Sequence, residues 1–255
     1  MSRFRSVKKT VRNILADDDW QTRLAELDDF RPVDLVPPLL NLRLDRLETV
    51  RWRSATAFGL TAARMAEASM EKARVIMRTL MWYMNEESGN LGWGIPLFMA
   101  EAMVNSKRIA DEFHKILVSY IFCDEECDGN FLDHPELRRD VYWGLVRLAE
   151  YRPELVAHGE RFLIAGLDDT DAYNRAYAAR VLGLIKPRAP DPGLRPSRTI
   201  RLKSAPSTTE RSSTPRWENW RGWPWTIWAS SRRFENQGRP KGRLFICGPT
   251  TGNTA

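Results

Sequence analysis

Apolar residues recur at helical spacing through the first 186 positions of the 255-residue chain. Ala73, Ile76, Met77, Leu80, Met81 and Met84 stand at i, i+3, i+4, i+7, i+8 and i+11, the stripe of a helix that turns one face to a core. Phe4 to Leu15 and Trp20 to Leu27 read as two shorter helices, with Asp17-Asp18-Asp19 placed to cap the second. A longer one carries Leu47, Val50, Ser54, Ala57, Phe58, Thr61 and Met65 on one face. Further stripes are Ile95, Phe98, Met99, Ala102, Met103; then Ile109, Phe113, Ile116, Leu117, Tyr120; then Leu137, Val141, Gly144, Leu145, Leu148. Ala172, Ala176, Ala179, Leu182 and Ile185 define a last helix, closed by Lys186-Pro187. No segment of comparable length alternates as a half-buried strand does, so the expected class is all-α.

Breakers set the expected boundaries. Pro32, Pro37 and Pro38 should cut the chain into short pieces. The helix through Met84 should stop near Ser88-Gly89, where Gly takes a left-handed C-cap without a Cβ penalty, and Pro96 fits the first turn of the next helix. D-H-P-E at 133–136 reads as a capping box with Asp133 as N-cap and Glu136 reaching back. Pro153 opens another helix, and Asp169 or Thr170 caps the last. The expected organisation is an N-terminal helical segment over 1–43, a helical domain over 44–188 and a poorly structured tail over 189–255.

Three of these helices repeat one another. R-W-R-S-A-T-A-F-G-L (51–60), R-R-D-V-Y-W-G-L-V-R-L (138–148) and N-R-A-Y-A-A-R-V-L-G-L-I (174–185) align so that Gly59, Gly144 and Gly183 fall together, each after Arg and small or aromatic residues. A small residue there lets neighbouring helices approach closely, as a stack of helical hairpins requires. Over about 44–186 this resembles the HEAT-like repeat, especially its short bacterial form ending in A-x-x-L-G, and implies an α-solenoid of helical hairpins. M-W-Y-M-N-E-E-S-G-N-L-G-W-G-I-P (81–96) and D-G-N-F-L-D-H-P-E-L-R-R-D-V-Y-W-G-L-V-R-L-A-E-Y-R-P-E-L (128–155) are similar to segments of an uncharacterised HEAT-like-repeat family of sulfate-reducing and related bacteria. That family has no assigned reaction, ligand or partner. The resemblance directs attention to Asn85, Glu86, Glu87, Ser88 and Gly89, to Trp93-Gly94, and to Asp128, Gly129 and Asn130. Its pattern favours an acidic residue after the Pro of W-G-x-P, whereas this chain has Leu97.

Charge changes the picture by its distribution. The net charge is +6, but residues 191–255 hold 12 Lys and Arg against 4 Asp and Glu, leaving 27 basic and 29 acidic groups in residues 1–190. A nearly neutral body removes the main electrostatic argument for duplex binding. No run of 18 or more apolar residues is present, so no membrane span is expected. The basic N-terminus lacks a secretory h-region, and three cysteines are too few for a disulfide framework, which together place the chain in the cytoplasm.

Candidate chemistry is sparse. Cys123, Cys127 and His134 give C-x3-C-x6-H, one ligand short of a structural zinc site, and no metal or cofactor is expected. Asp124, Glu125 and Glu126 would raise the thiol pKa values. His114, His134 and His158 are scattered, and neither a phosphate loop nor a G-x-G-x-x-G fingerprint occurs. The sequence therefore points to a non-catalytic scaffold that binds a protein partner on a concave face. The expected contact residues are Asn85, Glu86, Glu87, Trp93, Asp128, Asn130, Arg139, Trp143 and Arg147. The alternative is a DNA-binding or base-repair protein of the helical-repeat glycosylase type, which would need arginines, aromatics and a carboxylate to converge on one face. A tetrapyrrole chaperone is a third reading, by fold analogy alone.

After Ala189 helical periodicity stops, and Pro, Ser, Thr, Arg and Gly increase. Yet the tail holds five of the ten tryptophans, Trp217, Trp220, Trp223, Trp225 and Trp228, where disordered tails are poor in aromatics. A basic aromatic arm, a docking peptide and a shifted reading frame near residue 190 all fit this composition. The frameshift is favoured, and translating the other two frames tests it.

Overall fold

The computed structural model describes residues 3–85, 92–122 and 130–185. The chain divides into two units, Met1–Pro187 and Arg188–Ala255, and the described residues belong to the first. The tail and its frameshift reading lie outside them. The described residues are all-α, without strands. In order the helices are α1 (Arg3–Ala16), α2 (Trp20–Arg23), α3 (Pro32–Leu42), α4 (Glu48–Ala68), α5 (Met70–Asn85), α6 (Ile95–Asn105), α7 (Lys107–Ser119), α8 (Pro135–Tyr151), α9 (Pro153–Val156), α10 (Glu160–Ala165) and α11 (Ala172–Ile185). Short 3-10 turns occupy Leu24–Asp29, Ala157–Gly159 and Gly166–Asp168.

Two rows of helices build the body. α3, α4, α6, α8 and α11 pack each on the next, while α5 packs on α7 and α7 on α9 in a second row. The rows are joined by tight hairpins: Ser69 alone links α4 to α5, and Ser106 alone links α6 to α7. Each serine takes an extended backbone and closes the helix before it, through Ser69 N–H to Met65 O at 2.8 Å and Ser106 N–H to Ala102 O at 3.0 Å. Ser106 Oγ then accepts the Ile109 N–H, capping α7.

α6 lies at the centre, and every residue from Ile95 to Met103 is buried. It is flanked by α4 and α8 and backed by α5 and α7, so it has no polar face to spend on solvent. Glycines set its spacing. A Cβ on Gly59 would lie 2.5 Å from Glu101 O, and one on Gly144 would lie 3.1 Å from Pro96 O. Phe58 and Phe98 fill the neighbouring space with ring centroids 4.9 Å apart.

Arginines close the helix ends. The last carbonyls of a helix lack partners within it, and Arg presents several donors to a negative dipole end. Arg53 of α4 donates to Leu15 O and Asp17 O, both at 2.8 Å. Arg64 donates to Leu27 O and Phe30 O at 3.1 Å. Arg108 of α7 reaches Ala66 O of α4 at 2.7 Å, and Arg152 reaches Met103 O and Val104 O of α6 at 3.2 Å. These side chains hold one hairpin to another.

Several boundaries differ from expectation. Pro37 and Pro38 lie inside α3, which continues because Leu35, Leu39, Leu40 and Leu42 are buried against α1 and α4. Burial of that face offsets the lost hydrogen bonds. The N-cap of α8 is His134, whose Nδ1 accepts from Leu137 N–H; with Pro135 first in the helix, the cap falls one residue past Asp133. Asp171, not Asp169 or Thr170, caps α11 by accepting from Tyr173 and Asn174 N–H at 2.9 and 3.1 Å. On α11 the expected stripe holds at Ile185, which is buried, and fails towards the N-terminus, with Leu182 half-buried. Ala172, Ala176 and Ala179 are exposed, and Asn174, Tyr177, Ala178, Val181 and Ile185 are buried. The expected stop of α5 at Ser88-Gly89, and Cys123, Cys127 and Cys247, lie outside the described residues.

Candidate functional site

Two neighbouring arrangements on the α4–α6–α8–α11 row gather most of the chemically distinctive side chains. The first is the turn that starts α6. Gly94 sits at φ +75°, a left-handed conformation that Gly adopts without a Cβ clash. Its N–H donates to Asp140 Oδ2 of α8 at 2.9 Å. Arg43, just past α3, donates Nε to Trp93 O at 3.1 Å and Nη1 to Leu40 O at 2.7 Å. The Trp93 ring meets the His134 ring edge-on at 5.6 Å. Thus α3 and α8 grip the turn from two sides.

Asp140 keeps a little accessible surface but is walled by protein atoms on nearly every side. Burial pushes its carboxyl up to about 6, with the Gly94 amide and then Arg139 pulling the other way. Arg139 itself is committed to Asp171, with Nη2 to Oδ2 at 2.5 Å, and lies 4.8 Å over the Tyr173 ring. The burial of Asp171 works against its charge, but Arg139 and the amides of Asn174 and Tyr173 outweigh it and hold the group below the usual carboxylate range. His134, Pro135, Glu136, Arg139, Thr170 and Asp171 line an open depression here.

The second arrangement is an aromatic row with an ionic network beside it. Trp52 of α4 and Trp143 of α8 meet edge-on at 5.9 Å, across the intervening α6. Tyr177 of α11 continues the row, 5.5 Å from Trp143. Next to it Arg147 donates Nε to Glu101 Oε1 at 2.8 Å and Nη1 to Glu150 Oε2 at 2.9 Å, and Arg180 Nη2 reaches Glu150 Oε1 at 2.5 Å. The Arg147 and Glu101 side chains are only 8 and 7 % exposed. Burial works against the Arg147 charge, and Glu101 more than offsets it, so the guanidinium is held above its ordinary value. A buried pair of this quality is costly to split, because removing one partner leaves a charge in the packed seam between α6 and α8.

Of the residues singled out in sequence, the structure gathers Trp93, Arg139, Trp143 and Arg147 on or against α8. Asn85 ends α5 and is exposed, and Asn130 donates to Ser119 Oγ at 2.9 Å after α7. Glu86, Glu87 and Asp128 lie outside the described residues. Trp52, Glu101, Asp140, Glu150, Tyr177 and Arg43 were not anticipated. For Trp52 and Tyr177 a signal existed, since both stand in the segments aligned on Gly59 and Gly183. Glu150 had one too, three positions after Arg147 on the same helix, whereas Glu101 had none, because it is 46 positions away.

Arginines converge here with aromatics and carboxylates, but in neutralised pairs. Arg138 is likewise spent, on Asp169 at 2.8 Å and on the carbonyls of Leu132 and Asp133. Of the rings, Trp143 and Tyr177 are buried and Trp52 is half-buried, so this face offers one ring edge and little unpaired positive charge. Among the described residues no group of three or more His, Cys, Asp or Glu could hold a metal ion, and no helix is long and apolar enough to cross a membrane. The chain matches no family model and no curated protein.

Proposed function

We propose that the body is a HEAT-like α-solenoid serving as a non-catalytic scaffold, which binds a protein partner along the face of the α4–α6–α8–α11 row. The two-row order of hairpins supports the solenoid reading, because each helix touches its counterpart in the next hairpin, as stacked repeats do. The observation that carries the binding reading is half-buried Trp52, held edge-on by buried Trp143 with Tyr177 behind it, beside ionic side chains that already neutralise one another. Trp, Tyr and Arg dominate the energetics of protein interfaces, and rigid rings lose little entropy on binding.

Duplex DNA fits this face less well. Phosphate binding draws on cations that shed counterions, and Arg138, Arg139, Arg147 and Arg180 are tied to carboxylates. The test uses the full chain as bait, compared with Trp52→Ala, at a half-buried position that packs on Trp143. A partner retained by the wild type and lost by the variant at unchanged unfolding temperature supports the reading. Duplex affinity that falls steeply with salt and drops with Arg139→Gln or Trp52→Ala would overturn it in favour of the DNA reading.

A further inference from the structure

The second row of helices carries a histidine pair that the α4–α6–α8–α11 face does not use. His114 is half-buried on α7, and His158 is exposed in the Ala157–Gly159 turn that follows α9. Their rings meet edge-on, with centroids 5.4 Å apart and planes at 85°. The turn is pressed onto α7. A Cβ on Gly159 would lie 2.5 Å from Val118 Cγ1, and Phe122, just past α7, stacks on Phe162 of α10 at 4.0 Å. His114 Nδ1 stands 2.8 Å from Ala110 O, and a carbonyl only accepts, so in the neutral ring Nδ1 carries the proton and Nε2 keeps its lone pair. Although the His158 residue is exposed, partial burial of its ring is the largest influence on it and holds it below its ordinary value. The charges of His114 and Lys115 on α7 push the same way, and a hydrogen bond to the Leu155 backbone pulls against them. The His158 ring is therefore neutral at pH 7.

We propose that His114 and His158 together bind one divalent transition-metal ion, Zn2+ or one of similar chemistry, through a nitrogen of each ring, with solvent completing the coordination. Neutral imidazole suits such ions, and a ligating ring characteristically donates its other N–H to a carbonyl or carboxylate, as His114 Nδ1 does to Ala110. The spacing also fits. Two imidazoles sharing a tetrahedral ion, about 2.1 Å from each nitrogen, have centroids roughly 5.3 Å apart. Exposed His158 then needs only to turn about its side-chain bonds, with no movement of α7. Among the described residues no third His, Cys, Asp or Glu completes a group with the pair, so the site is open and its affinity modest. A bound ion would tie α7 to the turn after α9, clamping one hairpin to the next.

Calorimetric titration of the full chain with Zn2+ under reducing conditions tests this. A site is expected that weakens at least about tenfold in His158→Gln, whose exposed position leaves the unfolding temperature unchanged, and again in His114→Gln. Cys123→Ser with Cys127→Ser should leave that site in place, which separates it from zinc held on thiols. Lys115→Gln removes a like charge and should tighten binding about two- to threefold. Affinity should fall as pH drops through about 6.5, because protons compete for the ring nitrogens. A titration unchanged by both histidine substitutions overturns the proposal, as does a wild type that takes up no Zn2+ below about 1 mM.

Discussion

α4 and α11 begin from nearly the same instruction and end in different surroundings. Both carry a glycine at the same helical position after a segment of Arg, small and aromatic residues. In α4 that glycine faces the backbone of α6, and the helix is buried along most of its length. In α11 it faces open space, and the small residues in line with it are exposed. A small residue is thus a permission for close approach; the element beside it decides whether the permission is used. The cost of a substitution should follow the neighbour and not the residue type.

The largest effect should come from the occupied seam. Glu101→Leu takes from buried Arg147 one of the carboxylates that neutralise it while Glu150 and the Tyr151 ring stay beside it, and splitting a buried pair costs up to about 3–5 kcal/mol, read as a drop in the denaturant midpoint at unchanged m-value. Gly59→Ala drives a Cβ against Glu101 O and should destabilise by about 2–3 kcal/mol, since overpacking outweighs the gain in helix propensity. A Gly59→Ala protein as stable as the wild type would mean that α4 and α6 slide apart freely, and the contrast with α11 would lose its basis.

Asp140 tests the same seam through pH. Its folded value, about 6, lies above that of an unfolded aspartate, so burial favours the protonated form. The stability linked to it is fully present below pH about 4 and is lost as pH rises through about 6. Asp140→Asn keeps an acceptor for the Gly94 N–H without the charge. It should gain about 2 kcal/mol at pH 7 and flatten the stability profile between those limits, measurable by urea unfolding at a series of pH values. The smallest effect belongs to the open face. Gly183→Ala should stabilise the chain by up to about 1 kcal/mol in thermal unfolding, opposite in sign to Gly59→Ala at the matching position.

Much of the fold was legible because helices answer to local rules. The stripe from Ala73 to Met84 and Pro96 in the first turn of α6 act within a few residues of themselves, whereas the single-residue breaks at Ser69 and Ser106 emerged only in the structure. Pro37 and Pro38 misled because their cost is local while the burial that offsets it comes from α1 and α4. The α11 stripe misled for a related reason: alanine is compatible with either side of a helix, so Ala172, Ala176 and Ala179 carry no preference strong enough to orient it.

The candidate site divides along the same line. Trp93 is recognisable in sequence because a large aromatic in a glycine-rich turn is unusual locally, and Arg139, Trp143 and Arg147 because they gather around Gly144 in one predicted helix. Their meaning is not, since a charge is defined by its counter-charge. Arg147 could have met phosphate, water or a carboxylate, and only the packing of α6 on α8 brings Glu101 to 2.8 Å. Sequence alone determined the all-α class and the placing of most helices, both consequences of backbone geometry and neighbouring side chains. Tertiary structure alone decided which arginines are spent on carbonyls and carboxylates, which glycine is covered, and that Trp52 and Trp143 meet across α6. Those outcomes rest on contacts between residues tens of positions apart, whose distances no local pattern encodes.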